Sequence, residues 1–244
     1  MDNQRFSEVI RQSFLIFLNG LESGKNASRS IDKLAVLHGN IAGDMASRLG
    51  NDYLIYALGF RDEGEASIRG RYFDKKVDIA VFDACRKPVA GIGVKFVMQN
   101  FSQNANNYFE NMLGETANIQ CADVPYFQIL VLPEKMPHFR SGRKFNKWEH
   151  LTPERMKKYV VLSGDPAERY AHTPAKTLLY IVSLYPCVDQ SEAASLMRNT
   201  EMIEYYKNHR VKLSSMTLPP LGNRVILNDY ETFFTKVVHR IRSV

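Results

Sequence analysis

Four short apolar runs, each of strand length and set apart by stretches with helical spacing, constrain this chain more than anything else in it. Residues 76–83 (KVDIAVFD) and 89–97 (VAGIGVKFV) are rich in β-formers, and the cluster ACRKP turns one into the other, so the two are close enough to form a hairpin. Residues 126–133 (YFQILVLP) and 177–185 (TLLYIVSLY) are continuous apolar runs, the pattern of strands covered on both faces. Residues 53–60 (YLIYALGF) read as either a strand or the end of a helix, and RDEGEASIRGRYF after them as a polar loop leading into an extended segment.

The intervening stretches are helical. Phe6, Val9, Ile10, Phe14, Phe17 and Leu18 recur at helical spacing before Gly20. A second helix is expected from about Ser30, a plausible N-cap, to Leu49, with Ile31, Leu34, Leu37, Ile41 and Met45 on its apolar face. The polar segment SQNANNYFENMLGETANI, capped by Ser102, puts Ala105, Tyr108, Phe109, Met112, Leu113 and Ala117 on one face. A basic, aromatic loop precedes a helix at Thr152-Pro-Glu, and the chain ends in an amphipathic helix, YETFFTKVVHRI. This order predicts an α/β (α+β) fold with a mixed central β-sheet flanked by helices. It is expected to be a single domain over 1–244, with 1–50 a helical N-terminal part and about 70–185 the catalytic core. A chain of 244 residues has ample core for that.

Composition narrows the function. Cys85, Cys121 and Cys187 form no CxxC pair and do not cluster with the six histidines, which argues against a zinc site and for reduced, buried thiols. The N-terminus lacks the pattern of a signal peptide, and no apolar run approaches the roughly 20 residues of a membrane span. A soluble, cytoplasmic protein with no membrane association is expected. The net charge of +6 favours a polyanionic partner. GxGxxG, P-loop, GxSxG and HExxH motifs are absent, which weighs against a small-molecule enzyme.

Side chains alternate across a strand, so Asp78, Ala80 and Phe82 share one face of the first run, and Gly91, Gly93, Lys95 and Val97 one face of the second. Asp78 and Lys95 are charged residues inside otherwise apolar strands, and such a residue needs a partner or a task. An ordinary Asp–Lys ion pair would satisfy the pattern. So would a catalytic pair. The stretch GRYFDKKVDIAVFD…PVAGIGVKFV, followed by the helix from Ser102, resembles the PD-(D/E)XK nuclease superfamily, which includes most type II restriction endonucleases. In that pattern one strand carries an acid, the next carries acid-X-Lys, and a helix follows. The match is Val77-Asp78, then Gly93-Val94-Lys95, and it covers residues 70 to 132.

The resemblance implies a restriction-endonuclease-like fold and Mg²⁺-dependent hydrolysis of phosphodiester bonds in sequence-specific double-stranded DNA. Asp78 would be a metal ligand, the Val94 carbonyl another, and Lys95 would orient the attacking water or stabilise charge on phosphorus. The second acid of the pattern is replaced by Gly93. A helix carboxylate can take its place: Glu110, 15 residues after Lys95, ranks first on spacing, and Glu115 is the alternative, nearer the helix's apolar face. Gly93 would then leave space for that carboxylate to enter. Otherwise the chain is a catalytically inactive DNA-binding module of the same fold, or has lost one carboxylate from an ordinary site. A repair or structure-specific nuclease is the other enzymatic reading.

DNA contacts are expected in two places. Between Lys135 and Lys158 there are eight Lys or Arg against Glu149 and Glu154, a surplus equal to the net charge of the whole chain. Arg140, Arg143, Lys144 and Lys147 in this window suit phosphates or guanine edges. Asn104 and Asn107, in an Asn/Gln-rich helix start just after Lys95, suit adenine or the backbone. Enzymes of the resembled kind cut both strands as homodimers, with the N-terminal helices or the C-terminal helix as candidate interfaces.

Overall fold

In the computed structural model, residues 1–23, 32–141, 144–166, 169–186 and 197–243 are described. The expected N-cap Ser30, Ile31 of the same helix, Cys187 and the DNA-contact candidate Arg143 lie outside them. The apolar stripe of the first segment forms α1 (Asn3–Glu22), capped by the Asp2 carboxylate, which accepts the Arg5 N–H at 2.7 Å. The second stripe forms α2 (Asp32–Leu49). The ambiguous run after it is a strand, β1 (Tyr53–Ala57). Next come β2 (Ser67–Arg69), β3 (Asp74–Lys76), β4 (Ile79–Asp83) and β5 (Pro88–Phe96). The polar helix is α3 (Phe101–Gln120), followed by β6 (Tyr126–Pro133).

The basic segment is not the expected loop. It is an antiparallel hairpin of β7 (Lys135–Arg140) and β8 (Lys144–His150). Its alternation puts Met136 and Glu149 inside and Lys144 and Lys147 outside, and the Phe139–Phe145 ring contact and Lys135 over the Trp148 ring supply the cross-strand contacts that a short ribbon needs. The chain continues through α4 (Pro153–Ser163), capped by Thr152 as expected, and β9 (Lys176–Ser183). Then follow α5 (Asn199–Asn208), β10 (Lys212–Leu213), β11 (Val225–Leu227) and α6 (Tyr230–Arg242).

The fold is mixed α/β around a mixed sheet. Strand order is β1-β4-β5-β6-β9-β10, with β11 also pairing β9. The β1–β4 and β4–β5 pairs are antiparallel, as the expected hairpin requires; β5–β6, β6–β9 and β9–β11 are parallel. The continuous apolar runs, β6 and β9, are the central parallel strands, and β6 is buried along its whole length. Tyr126 on one face of β6 packs with Ile119 of α3, while Phe127 on the other meets Phe233 of α6. Helices α3 and α4 meet through Phe109 and Tyr159, whose ring centroids are 5.1 Å apart. Helices α1, α2 and α6 contact one another, and one hydrophobic cluster runs from Phe6 to Ile241, so the N-terminal helices share the core of the sheet. Among the described residues no helix is long and apolar enough to cross a membrane.

Three local expectations change. Cys85 and Cys121, expected as buried thiols, are exposed. Asp78 is not inside a strand: it sits in the break between β3 and β4, where the Val77 N–H turns away to the Ala66 carbonyl at 3.1 Å. Ser102 does not cap α3. The position before the helix is Asn100, in the left-handed region at φ 54° with no side-chain cap bond. The helix N-terminus is capped instead from the hairpin, by Glu149, which accepts the Ser102 N–H at 3.1 Å and the Ser102 hydroxyl. A carboxylate there is favoured by the helix dipole, and the contact fastens the hairpin to α3.

Candidate active site

The break before β4 leaves the Asp78 carboxylate to replace a ladder bond: its Oδ2 accepts the Val94 N–H at 2.7 Å. In a strand the N–H and C=O of one residue point to the same side, so the Val94 carbonyl shares the edge that Asp78 occupies. Continuing the β4–β5 register from Ile79↔Ile92 sets Asp78 opposite Gly93, with Lys95 one position further along the same face. These residues border a pocket of about 320 Å³ at the start of β4 and the end of β5, closed by α2, α3 and the β2–β3 hairpin.

Burial pushes the Asp78 carboxyl up to about 6, against the opposing effect of its Val94 hydrogen bond; the Glu115 charge adds to the rise, and Lys75 and Lys95 oppose it. Glu115 comes from α3. Its carboxylate pairs with the Lys75 ammonium at 2.6 Å and accepts the Tyr126 hydroxyl at 3.3 Å. The Lys95 ammonium stands over the Tyr108 ring, 4.6 Å from its centroid. Lys33 of α2, almost wholly buried, completes the wall, and burial together with the charge of Lys95 brings it down to about 8. Four lysines (Lys33, Lys75, Lys76, Lys95) thus face two carboxylates (Asp78, Glu115) in one pocket. An anion is the ligand such a balance favours.

The acid-for-glycine question has a steric answer. A Cβ on Gly93 would lie 2.6 Å from the Tyr126 hydroxyl and 2.7 Å from Oε1 of Gln128, its register partner on β6. Gly93 does make room, but the room is taken by Tyr126, and Tyr126 in turn holds Glu115. Glu110, first on spacing, is exposed and does not line this pocket; its charge reaches Lys158 of α4 instead. Five residues along a helix turn the side chain by about 140°, so Glu110 and Glu115 face different neighbours, and docking of α3 selects Glu115. Of the two helix acids weighed from the sequence, Glu115 therefore lines the pocket with Asp78 and Val94, and Glu110 does not.

The expected DNA contacts separate from this pocket. Asn104 hydrogen-bonds Tyr108 and Asn107 is exposed; the amide that does line the pocket is Asn111, one turn beyond Asn107. Arg140, Lys144 and Lys147 are exposed on the β7–β8 hairpin, with Arg140 paired opposite Lys144 near its tip.

Several residues were not singled out by sequence. Lys33 and His38 lie on the apolar stripe of α2, and a titratable residue on a buried helix face was the available signal. His38, Glu65 and Asp78 offer ligand atoms all within 4.8 Å of one another. The β2–β3 tip carries Tyr72 and Phe73, 78% and 59% exposed, yet it is held firmly: Asn118 accepts the Tyr72 N–H at 2.9 Å and donates to the Phe73 carbonyl at 2.9 Å.

No protein-family model, curated protein or solved structure matches this chain, so the functional argument rests on the site itself.

Proposed function

We propose that this chain is a Mg²⁺-dependent endonuclease of the PD-(D/E)XK type that cuts sequence-specific double-stranded DNA, as type II restriction enzymes do. One observation carries the reading: Asp78, Glu115 and Lys95, from three separate elements, border a single pocket in which lysines outnumber carboxylates. A structural Asp–Lys ion pair would explain two of these residues. It would not explain why a helix carboxylate, a hydroxyl that holds it and three further lysines converge on the same space.

The residues fit a hard dication. Mg²⁺ takes oxygen ligands and usually one or two carboxylates; Asp78 and Glu115 supply two, and the Val94 carbonyl lies on the same edge. Bound there, the ion would neutralise phosphate charge and acidify a water. The chain's own groups do the rest. Lys95 orients the attacking water and stabilises charge on the phosphoryl oxygens. Lys33, Lys75 and Lys76 balance the backbone phosphates, and Lys75 also pairs with the Glu115 carboxylate. The water oxygen joins phosphorus, one bridging P–O bond breaks, and the departing sugar oxygen takes up a proton, leaving a phosphate monoester and a hydroxyl end.

The β7–β8 hairpin contributes phosphate contacts through Arg140, Lys144 and Lys147, and the exposed Tyr72 and Phe73 lie on the hairpin whose Lys75 and Lys76 line the pocket. One pocket per chain and two antiparallel strands per duplex favour action as a homodimer. The test is incubation of the full chain with mixed and plasmid DNA and Mg²⁺. Discrete fragments are expected. DNA left intact under conditions where the protein binds it would discard the reading in favour of a binding module.

A further inference from the structure

We propose that His38, Glu65 and Asp78 form a second cation position, on the α2 side of Asp78, suited to a transition-metal dication such as Mn²⁺ or Co²⁺ rather than to Mg²⁺. As the second ion of a two-cation hydrolase it rests on the nuclease reading; as a site it stands on the three side chains alone.

The first argument is geometric. His38 comes from α2, Glu65 from the segment between β1 and β2, and Asp78 from the β3–β4 break. These three elements are distant in sequence, yet they bring one ligand atom each to within 4.8 Å of the others. Donors that share one ion at bonds of about 2.0–2.2 Å stand about 3–4 Å apart. Closing the set onto an ion therefore asks each side chain for less than about an ångström.

The second argument is independent of the first. His38 is wholly buried, and neither ring nitrogen has a hydrogen-bond partner. A buried polar group left unpaired costs about 1–3 kcal/mol, and most such groups in folded proteins are satisfied. A leucine would fill the same space on the apolar stripe of α2 without that cost. Burial also holds the imidazole well below its ordinary pKa, down to about 4, against the pull of Glu65. The ring is thus neutral at physiological pH, which is the form that binds a metal. A cation between the three groups would satisfy the ring nitrogen and add to the partners the carboxylates already have, the Val94 N–H for Asp78 and the Lys76 ammonium, 3.7 Å away, for Glu65.

The donor chemistry sets the preference. Mg²⁺ and Ca²⁺ take oxygen ligands, and imidazole shifts selection towards the later first-row metals. The outer position, bordered by Asp78, Glu115 and the Val94 carbonyl, has only oxygen donors. The two positions would share Asp78 and differ in whether nitrogen is present.

That difference gives the experiment. The full chain is loaded with Mn²⁺, and pulsed electron paramagnetic resonance is used to look for ¹⁴N coupling from a directly bound imidazole. Coupling is expected in the native chain. It should disappear in His38→Gln and persist in Glu115→Gln. Because His38 lies in the core and its substitution can unfold the chain, Glu65→Gln, on a partly exposed segment, is the second variant; it should weaken Mn²⁺ binding at least tenfold. Bound Mn²⁺ without nitrogen coupling, coupling that survives His38→Gln, unchanged affinity in Glu65→Gln, or no Mn²⁺ binding would each overturn the site. Loss of nitrogen coupling alongside Mg²⁺-dependent cleavage would leave the nuclease reading intact, and coupling without any cleavage would do the reverse.

Discussion

The pocket and the β7–β8 hairpin are two basic regions of this molecule, and they hold their charges in opposite ways. In the pocket, Lys33 and Asp78 are displaced from their ordinary acidities by burial and by each other's neighbours, and Glu115 is fixed by both an ion pair and a hydroxyl. On the hairpin, Arg140, Lys144 and Lys147 stand in water. Charges removed from water act strongly over short distances and are little screened; exposed charges act weakly, additively and at the mercy of salt. The first arrangement suits chemistry at one phosphate. The second suits holding a long polyanion. Substitutions in the two regions should therefore differ in size, in salt dependence and in which measurement they move.

The largest effect is expected from Lys95→Ala, which should lower the rate of Mg²⁺-dependent plasmid cleavage on the order of 10²–10³-fold while gel-shift affinity for DNA stays nearly constant. Equal losses in both assays would put Lys95 with the hairpin lysines and erase the contrast. Next comes the pair of α3 carboxylates. Glu115→Gln should raise the Mg²⁺ concentration needed for cleavage by roughly tenfold or more, and Glu110→Gln should leave it unchanged. The opposite ranking would mean that α3 docks with its other face to the pocket.

A smaller effect, on stability, sharpens the account of burial. The raised pKa of Asp78 means that the folded chain holds this proton more tightly than the unfolded chain. Its contribution therefore favours folding below about pH 4 and is lost as pH rises to about 6. Two units at about 1.36 kcal/mol each, discounted for contact with water, give on the order of 2 kcal/mol. In metal-free protein at pH 7, Asp78→Asn should raise Tm by about 4–8 °C and remove that slope, although it abolishes cutting. A lowered Tm would show that the carboxylate, not its neutral form, is what the fold accommodates. The smallest effects belong to the hairpin: Arg140→Ala, Lys144→Ala and Lys147→Ala should each weaken DNA binding a few-fold and reduce the slope of log K against log salt by about 0.9. No change of slope in the triple variant would remove the hairpin from the DNA interface.

Much of this was open to inspection in the residues themselves. The strands at 79–83, 88–96, 126–133 and 176–183 and the helices at 3–22, 101–120 and 230–242 follow from apolar spacing. The positions of Asp78 and Lys95 within adjacent apolar runs were legible, but their shared face follows from the β4–β5 register, and Asp78 sits at a strand break. The basic segment at 135–150 was recognised by charge but not as a ribbon. Its strands are held by each other and by Glu149 on the end of α3, and such pairings leave little periodic trace over so few residues.

The sequence by itself determined the main strands and helices, that β6 and β9 are covered on both faces, and that an acid and a lysine lie within neighbouring apolar runs. These follow from covalent geometry: a side chain's direction repeats every two residues in a strand and every 3.6 in a helix. Only the tertiary structure decided that Glu115 rather than Glu110 lines the pocket with Asp78, that Gly93 yields its space to Tyr126, and that His38 of α2 comes up against Asp78. Those outcomes depend on how α2 and α3 are docked and rotated against the sheet. That rotation is the sum of many packing contacts between residues far apart in the chain, and no local period records it.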